Sequence, residues 1–375
     1  MRSPADKILV IVTNRLGDVL LTTPLIRSVR RAYPNAVLHA LVYDEASGIL
    51  EGNPDIDAVI PFSPRPTSAE SFAILRRIWR AYDLALTSQA GDRPVLYSIL
   101  AGKSRFAVIP GDWFQSRWKR WFVTGAAPID TVSLHTVLQN LQLADLLEIP
   151  RCYDIVVPRV ADDVHVLNRI LPMDWQQEAY VLLHTSPKFR YKYWTVKGWR
   201  ALTEYLYDKG VKIVITASGD PNELAYVGDV AAEIKARTIN LAGQLTLAEL
   251  STLARHAALF VGTDTVITHI AAAVGTPTVA LFGPSRPLVW GPWPKGYSED
   301  RSPYVNHQPM QRVGNVLLLQ GIGACVPCNL EGCERHIESL SDCLQFMPAS
   351  RVISAAETML QWGQKLNKTK HAASP

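Results

Sequence analysis

Several side chains between residues 260 and 284 are of the types that bind a phosphorylated ligand. Asp264 stands between two hydroxyl side chains, Thr263 and Thr265, directly after an apolar run that predicts a strand. His269 lies four residues after Thr265, so both fall on one face of the helix that this stretch predicts. The N-terminus of such a helix offers free N–H groups and a positive dipole end to a phosphate. Asp264 or Thr265 could instead serve only as the N-cap of that helix.

Two further predicted strand ends in the same half carry polar loops. Thr185 and Ser186 follow a strand and precede closely spaced cations that include Lys192, a combination that suits the oxygens of a diphosphate. A solvated basic loop is the alternative. Another strand end carries Asp220 and Glu223, and an acid there could accept hydrogen bonds from ribose hydroxyls or cap the next helix. Because three polar loops lie in this half, we expect a nucleotide there and an acceptor on the first half.

Asp18 is the chemical candidate of the first half. It begins the first predicted helix directly after the first strand, where it could cap the helix or take a proton as a general base. The loop is not G-x-G-x-x-G, so nothing in it predicts a dinucleotide site.

Four of the five cysteines cluster late in the chain, in the pattern C-x2-C-x4-C-x9-C. They are Cys325, Cys328, Cys333 and Cys343. Four thiolates at such spacing can hold a tetrahedral zinc or iron ion. Free thiols in a reducing compartment are the alternative. The cluster lies outside the polar loops, so we expect a structural role in either case.

Alternating strands and helices must position these groups, and they do so twice. The pattern runs from residue 7, pauses near residues 155–175 and restarts at residue 180, which predicts an α/β protein with two parallel sheets. The expected domains are 1–170, 171–348 and a final 349–375 segment of one helix and a disordered tail. A net charge of +4 and the lack of a reader motif disfavour nucleic-acid binding. No signal peptide or membrane span is predicted, which favours a cytoplasmic enzyme.

Two long segments carry a family resemblance. Arg15 to Ala36, RLGDVLLTTPLIRSVRRAYPNA, resembles the opening of glycosyltransferase family nine, the lipopolysaccharide heptosyltransferases. Gly262 to Pro292 is similar to that family's D-[ST]-G-x-x-H-x-A-A-x-x-G-x-P-x-x-x-L-F-G-P signature. One position departs from it, because Val266 stands where the family has Gly. Either the backbone is not left-handed there, or the donor differs in shape.

The resemblance implies a GT-B fold, with two Rossmann-like doubly wound domains facing a cleft and a C-terminal helix that returns to the first domain. It implies inverting transfer of heptose from ADP-heptose to a lipopolysaccharide inner-core acceptor, with no cofactor needed for catalysis. Asp18 matches the family's catalytic base. Matching donor contacts are Thr185, Ser186, Lys192, Glu223, Asp264, Thr265 and His269. Another nucleotide sugar, a protein acceptor and a non-enzymatic member remain as alternatives.

Some family members, including the autotransporter heptosyltransferases, have similar cysteine clusters, and the resemblance then implies a structural iron or zinc. A basic stretch with aromatic residues between its cations suggests how a lipid A–core acceptor and the inner leaflet of a membrane are contacted. Its cations are Arg105, Arg117, Lys119 and Arg120, and its tryptophans are Trp113, Trp118 and Trp121. The alternative is an ordinary helix with Trp118 and Trp121 in the core. The sequence does not predict an oligomeric state.

Overall fold

The structure is a computed structural model that describes the backbone of residues 5–232 and 238–372. The chain divides into two compact units. The first runs up to Pro158 and includes Gly296–Ser302, and the second contains the other described residues. Asp300 joins the first unit because Arg151 and Tyr153 both hydrogen bond to its carboxylate.

The first unit alternates strands and helices. Its elements are β1 (Lys7–Val12), α1 (Leu16–Ala32), β2 (Val37–Tyr43), a 3₁₀ helix (Asp44–Leu50), β3 (Ala58–Phe62), α2 (Ser68–Ile78), β4 (Tyr82–Thr87), α3 (Asp92–Ala101), β5 (Gly102–Ile109), α4 (Trp113–Phe122), β6 (Gly125–Pro128) and α5 (Thr136–Leu146). In the described chain these strands form one parallel sheet in the order β3-β2-β1-β4-β5-β6. Strand β1 is central and almost fully buried, as its apolar run predicts.

The second unit repeats this plan. Its elements are α6 (Asp163–Ile170), β7 (Tyr180–His184), a 3₁₀ helix (Arg190–Lys192), α7 (Val196–Asp208), β8 (Lys212–Thr216), α8 (Pro221–Ala232), β9 (Ile239–Asn240), α9 (Leu247–His256), β10 (Leu259–Thr263), α10 (Val266–Val274), β11 (Thr278–Phe282), α11 (Pro287–Trp290), β12 (Met310–Val313), β13 (Val316–Gln320), α12 (Asp342–Gln345) and α13 (Ala349–Ala372). As far as the chain is described, the sheet order is β12-β13-β11-β10-β7-β8-β9, and only the edge strand β12 runs antiparallel.

Each sheet has one point where the strand order reverses, between β1 and β4 in the first unit and between β7 and β10 in the second. Open α/β sheets bind ligands beyond the carboxyl ends of their strands at such a switch point. The two points therefore mark where the polar loops of each unit should be examined. The expected α/β class with two Rossmann-like, doubly wound sheets is confirmed.

The last helix packs in the second unit. Helix α13 contacts α7, β10, β11 and β13 of that unit, and its expected return to the first domain stays a prediction. The reason is its apolar face, since Val352, Ala356 and Met359 are buried in the core of the second unit. The helix also extends to Ala372, where the sequence predicted a disordered tail.

The boundary between the units also differs from the expected position at residue 170. Helix α6 belongs to the second unit, where it packs on α9, and Thr252 donates a hydrogen bond to the Asp163 carboxylate. No helix within the described residues is long and apolar enough to span a membrane.

Candidate functional site

Asp264 lies at the switch point of the second sheet, directly after β10. Its side chain is 7% exposed. The Lys192 ammonium lies 2.7 Å from Asp264 Oδ2, and the Ser285 hydroxyl donates to the same oxygen at 2.5 Å. Lys192 ends the 3₁₀ helix after β7, and Ser285 follows β11, so three loops at one sheet edge converge on this carboxylate.

The surroundings of Asp264 keep it ionised. Burial alone raises its pKa, but the charge and hydrogen bond of Lys192, together with the hydrogen bond from Ser285, outweigh burial and bring the pKa below its usual value. A carboxylate held in this way is a poor proton acceptor at neutral pH. It is a fixed hydrogen-bond acceptor for a hydroxyl-bearing ligand.

His269 lies on α10 and is buried beside this ion pair. Burial, with a further contribution from Lys192, lowers its pKa to about 4, although the Asp264 charge acts in the opposite direction. The imidazole is therefore neutral at pH 7. Its Nδ1 atom has no hydrogen-bond partner among the described residues.

Two threonine hydroxyls near the same switch point share this property. Thr185 and Thr263 are fully buried, and in the described chain neither hydroxyl has a partner. Because a buried polar atom without a hydrogen bond costs about 1–3 kcal/mol, such atoms are rare in native proteins unless a ligand satisfies them. Three of them at one sheet edge indicate a site for a ligand with many polar atoms.

Ser186 and Glu223 form the neighbouring part of this edge, where β7 and β8 end side by side. The Ser186 hydroxyl donates to the Glu223 carbonyl at 3.2 Å, and Glu223 Oε2 accepts from the Ser218 amide at 3.1 Å. Burial raises the pKa of the Glu223 carboxyl, so it is partly desolvated and prepared to accept from a hydroxyl. The capping alternative for this loop holds for Asp220, which accepts from the first amides of α8, and not for Glu223.

The N-cap alternative for the Asp264 loop holds only in part. Thr265 occupies the N-cap position of α10, but its side chain makes no capping hydrogen bond. Asp264 bonds to side chains instead. Val266 is the first residue of the helix and is not among the residues with positive φ. The backbone at this point is therefore not left-handed, and a valine is tolerated without strain.

Asp18 lies in the first turn of α1, at the switch point of the first sheet. The N-cap of α1 is Arg15, so Asp18 is not the cap residue. Its carbonyl accepts from the Thr22 hydroxyl at 2.8 Å, and Thr22 also contacts Ser88, which follows β4. Asn140 donates to Thr22 and to the Leu21 carbonyl. The first turns of α1 are therefore anchored beside the ends of β1 and β4, with Asp18 half-exposed among them.

The basic stretch is divided by the structure. Lys119 was predicted to bind the acceptor, but it is 3% exposed and its ammonium contacts the Ala90 carbonyl and the Asp92 carboxylate. It therefore serves the internal structure of the first unit. Arg117 and Arg120 are exposed on α4, whereas Arg105 lies within β5 and has a buried Nε without a partner in the described chain.

The tryptophans of α4 are also divided. Trp118 packs against a small core formed by Val95, Ala107 and Ile109, as the ordinary-helix interpretation expects. Trp121 was placed in the core by the same interpretation, but it is 80% exposed.

The four clustered cysteines are free thiols that lie near one another in the second unit. Burial raises the pKa of Cys343 to about 12, and the neighbouring Cys328, Cys333 and Cys325 add to this effect. However, no three His, Cys, Asp or Glu side chains in the described part of the chain are arranged to hold a metal ion. The side chains as they stand do not form a ligand set, and a zinc or iron ion here stays a prediction.

Sequence reasoning missed three contributors to the donor site. Ser285 follows the Gly283-Pro284 turn of the family signature, and its position after β11 is the signal that could have identified it. The sequence indicated Thr263 only as a hydroxyl-bearing neighbour of Asp264. Tyr193 gave no signal; its hydroxyl hydrogen bonds with Ser186, and burial raises its pKa.

Comparisons with known proteins identify the family of this chain. Residues 96–317 match the sequence model described as "Glycosyltransferase family 9 (heptosyltransferase)". Lipopolysaccharide heptosyltransferase 3 of Escherichia coli K12 is 30% identical over 286 residues, which cover 74% of this chain and 82% of that protein.

Solved structures give the same result for the fold. Escherichia coli ADP-heptose lps heptosyltransferase II has a TM-score of 0.71 at 18% identity, covering 96% of this chain and 99% of that chain. The dodecameric iron-containing heptosyltransferase TibC, solved with ADP-D-beta-D-heptose, has a TM-score of 0.55 at 15% identity, covering 96% and 79%. The chain belongs to glycosyltransferase family 9, the heptosyltransferase family, and is a glycosyltransferase with the GT-B fold.

Proposed function

We propose that this enzyme transfers heptose from ADP-heptose to an inner-core lipopolysaccharide acceptor, with inversion at the anomeric carbon and Asp18 as the general base. The observation that carries the proposal is the donor site. It combines the Lys192–Asp264 ion pair with three buried polar atoms that lack partners in the described chain, on Thr185, Thr263 and His269.

The donor site fits the parts of a nucleotide sugar. Diphosphate oxygens would accept from the hydroxyls of Thr185 and Ser186 and from the N–H bonds of Lys192 not used by Asp264. Sugar hydroxyls would donate to the Asp264 carboxylate or pair with His269 Nδ1. Glu223 would accept from the ribose. Support for ADP-heptose comes from the two heptosyltransferase structures above, one named for ADP-heptose and the other solved with ADP-D-beta-D-heptose.

The chemistry needs a base and a stabilised leaving group. As the acceptor hydroxyl attacks the anomeric carbon, its proton passes to the Asp18 carboxylate, because a neutral hydroxyl is a poor nucleophile. The bond from the anomeric carbon to the phosphate oxygen breaks, and ADP takes the electron pair. Lys192 and the N-terminus of α10 stabilise the negative charge that develops on ADP. Attack from the face opposite the leaving group gives inversion.

A different nucleotide sugar is the second candidate, and Val266 is the observation behind it. The backbone there tolerates valine, but the side chain is half-buried and adds bulk where the family has none. The added side-chain volume would change the space available to the sugar and leave the diphosphate contacts unchanged.

The acceptor assignment rests on the relatives. The curated relative at 30% identity is named for lipopolysaccharide, which supports a lipopolysaccharide core over a protein acceptor. Arg117 and Arg120 are exposed and would bind core phosphates. Arg105 Nε has no partner among the described residues and would donate a hydrogen bond to the acceptor. We further propose that the enzyme works in the cytoplasm, where a nucleotide-sugar donor is available, against the inner membrane.

A thermal shift series with ADP, UDP, GDP and CMP tests the donor. We expect ADP alone to raise the melting temperature. At an ADP concentration of about 100 times its Kd, the free energy of unfolding should rise by roughly 2.7 kcal/mol. Stabilisation by UDP or GDP without ADP contradicts the proposal. The variant Thr185→Val should lose most of the ADP-induced rise in melting temperature. Thr203→Val, at a buried position of α7 in the same unit, should keep it.

Replacing Asp18 with Asn tests the base. We expect turnover to fall by a factor of roughly 10² or more, the contribution typical of a general base, while the ADP-induced shift is unchanged. An Asp18→Asn enzyme with near-normal turnover rules out this role for Asp18. Loss of the ADP shift as well shows that the substitution damaged the protein and calls for Asp18→Glu.

A further inference from the structure

Three helices of the first unit cover one face of its sheet. Ile74 and Ile78 of α2 and Tyr97 of α3 pack with Leu9 and Ile11 of β1. Val95 of α3 and Trp118 of α4 pack with Ala107 and Ile109 of β5. The sheet register aligns β1, β4 and β5 so that these strand residues point to the same side. The outer surfaces of α2, α3 and α4 therefore belong to one side of the unit.

The outer face of α4 is unusual for a soluble surface. Trp113, Phe114 and Trp121 are 57%, 85% and 80% exposed. With Arg117 and Arg120 they occupy helix positions i, i+1, i+4, i+7 and i+8, which span about 120° of the helix circumference at 100° per residue. Lys119, on the opposite side of the helix, is buried, and Ser116 is buried beside Arg120 at the edge of the outward arc. Three large aromatic side chains thus face outwards beside two guanidinium groups.

Helix α2 presents a second patch of the same type. Phe72 and Trp79, the C-cap residue directly after α2, are 68% and 57% exposed, and they lie seven residues or about two turns apart, so they fall on one side. The exposed Arg76 lies between them, and Arg80 stacks on the Trp79 ring with its Cζ 5.9 Å from the ring centroid. We call the outward residues of α2 and α4 the aromatic–basic face. Its members are Phe72, Arg76, Trp79, Trp113, Phe114, Arg117, Arg120 and Trp121.

The charge of this face is positive. Within the described residues, neither Arg117 nor Arg120 forms an ion pair with a carboxylate, and the Arg120 guanidinium instead lies 5.7 Å from the centroid of the Trp113 ring. The nearby Asp92 is paired with Lys119. Exposed aromatic rings with arginines between them match the two layers of a bilayer surface, since rings settle at the headgroup level and guanidinium groups bind lipid phosphates.

We propose that the aromatic–basic face docks the enzyme on a phospholipid bilayer that contains anionic lipids. This inference rests on the proposed work at the inner membrane and deepens it, because it identifies the surface of the first unit that makes the contact. It is tested without donor or acceptor. A failure here leaves the proposed chemistry untouched, and a failure of the ADP experiment leaves this proposal untouched.

The experiment is flotation of the full-length protein with vesicles of phosphatidylcholine alone or of phosphatidylcholine mixed with anionic phosphatidylglycerol. We expect binding to the anionic vesicles and weakening by salt. The double variant Arg117→Gln/Arg120→Gln should bind roughly thirtyfold more weakly, because each cation near such a surface contributes about one factor of five. Phe114→Ser/Trp121→Ser should lose at least about tenfold on the same vesicles.

Matched controls come from exposed residues of the second unit. Arg255→Gln and Phe346→Ser remove a cation and a ring, the ring being 70% exposed, and should change vesicle binding little. All four variants should keep the wild-type melting temperature, since the replaced side chains face solvent. Equal binding by wild type and both α4 double variants overturns the proposal.

Sedimentation without vesicles tests whether the aromatic–basic face instead binds a second copy of the chain. If wild type self-associates, Phe114→Ser/Trp121→Ser is monomeric and neither binds vesicles, the face is an interface between copies and the membrane proposal is wrong. A wild-type protein that is monomeric and does not bind anionic vesicles also contradicts the membrane proposal.

Discussion

Acidification should destabilise the second unit through two buried histidines. Burial lowers the pKa of His184 and of His269 to about 4 from the ordinary 6.5. Both imidazoles are neutral in the folded state at pH 7, and His184 Nδ1 lies 3.1 Å from the Thr216 hydroxyl. The unfolded chain binds protons at these positions from about pH 6.5 downwards, whereas the folded chain does not until about pH 4.

The sign and size of the effect follow from this difference. A depressed folded-state pKa gives stability that is complete above the unfolded pKa and is lost as the pH falls towards the folded one. With pKa values of 6.5 and about 4, each histidine lowers the free energy of unfolding by about 2 kcal/mol between pH 7 and pH 5. Together they remove about 4 kcal/mol over this range, a large share of the stability of a domain.

Hydrogen exchange measures the change where it should occur. Opening free energies for peptides that span β10 and α10 are compared at pH 7 and pH 5, with the pH dependence of the intrinsic exchange rate removed. His269→Gln should reduce the loss by about half, because one of the two contributions disappears. His165→Gln is the matched control, since His165 is exposed on α6. An unchanged pH dependence in His269→Gln, or a wild type that gains stability at pH 5, refutes the reasoning.

Three further predictions concern other parts of the molecule. Asp264→Asn should destabilise the second unit by about 3 kcal/mol in chemical unfolding, because it leaves the Lys192 charge without its partner, while Ser285→Ala should cost about 1 kcal/mol; equal losses contradict the ion-pair argument. Lys119→Met should leave vesicle binding and acceptor KM near wild type, because Lys119 points inwards; a KM rise like that of Arg117→Gln would restore it as an acceptor contact. Elemental analysis should find about one zinc or iron per chain if the cysteine cluster is structural, lost in Cys328→Ser and kept in Cys152→Ser, and a metal-free protein with four reactive thiols contradicts this prediction.

The sequence was most informative where strand periodicity and motif length coincide. The apolar runs before the Asp18 and Thr185 loops and after Gly275 became β1, β7 and β11. The alternation of strand and helix was enough to predict two doubly wound sheets. It also brought the Asp264, Thr185 and Glu223 loops to the carboxyl edge of one sheet, because parallel strands end on the same side.

Contacts between distant side chains were less predictable. The spacing of Lys192 and Asp264 in sequence carries no sign that their side chains form an ion pair. Lys119 looked like a surface cation because its neighbours in sequence are basic, yet the face of the helix on which it falls is the inner one. Nothing in the sequence indicated which buried residues of helix α13 pack in the core of the second unit.

The backbone conformations at Gly17 and Val266 could not be predicted from residue type alone. Gly17 lies inside α1 without a positive φ, and a Cβ added there would meet nothing within 4 Å. Its backbone therefore does not require glycine, and the open space beside it lies one residue before Asp18. The same holds in reverse for Val266, where a family glycine is replaced without backbone strain. At both positions the residue sets the side-chain volume next to the proposed substrate sites, and the backbone conformation does not require glycine.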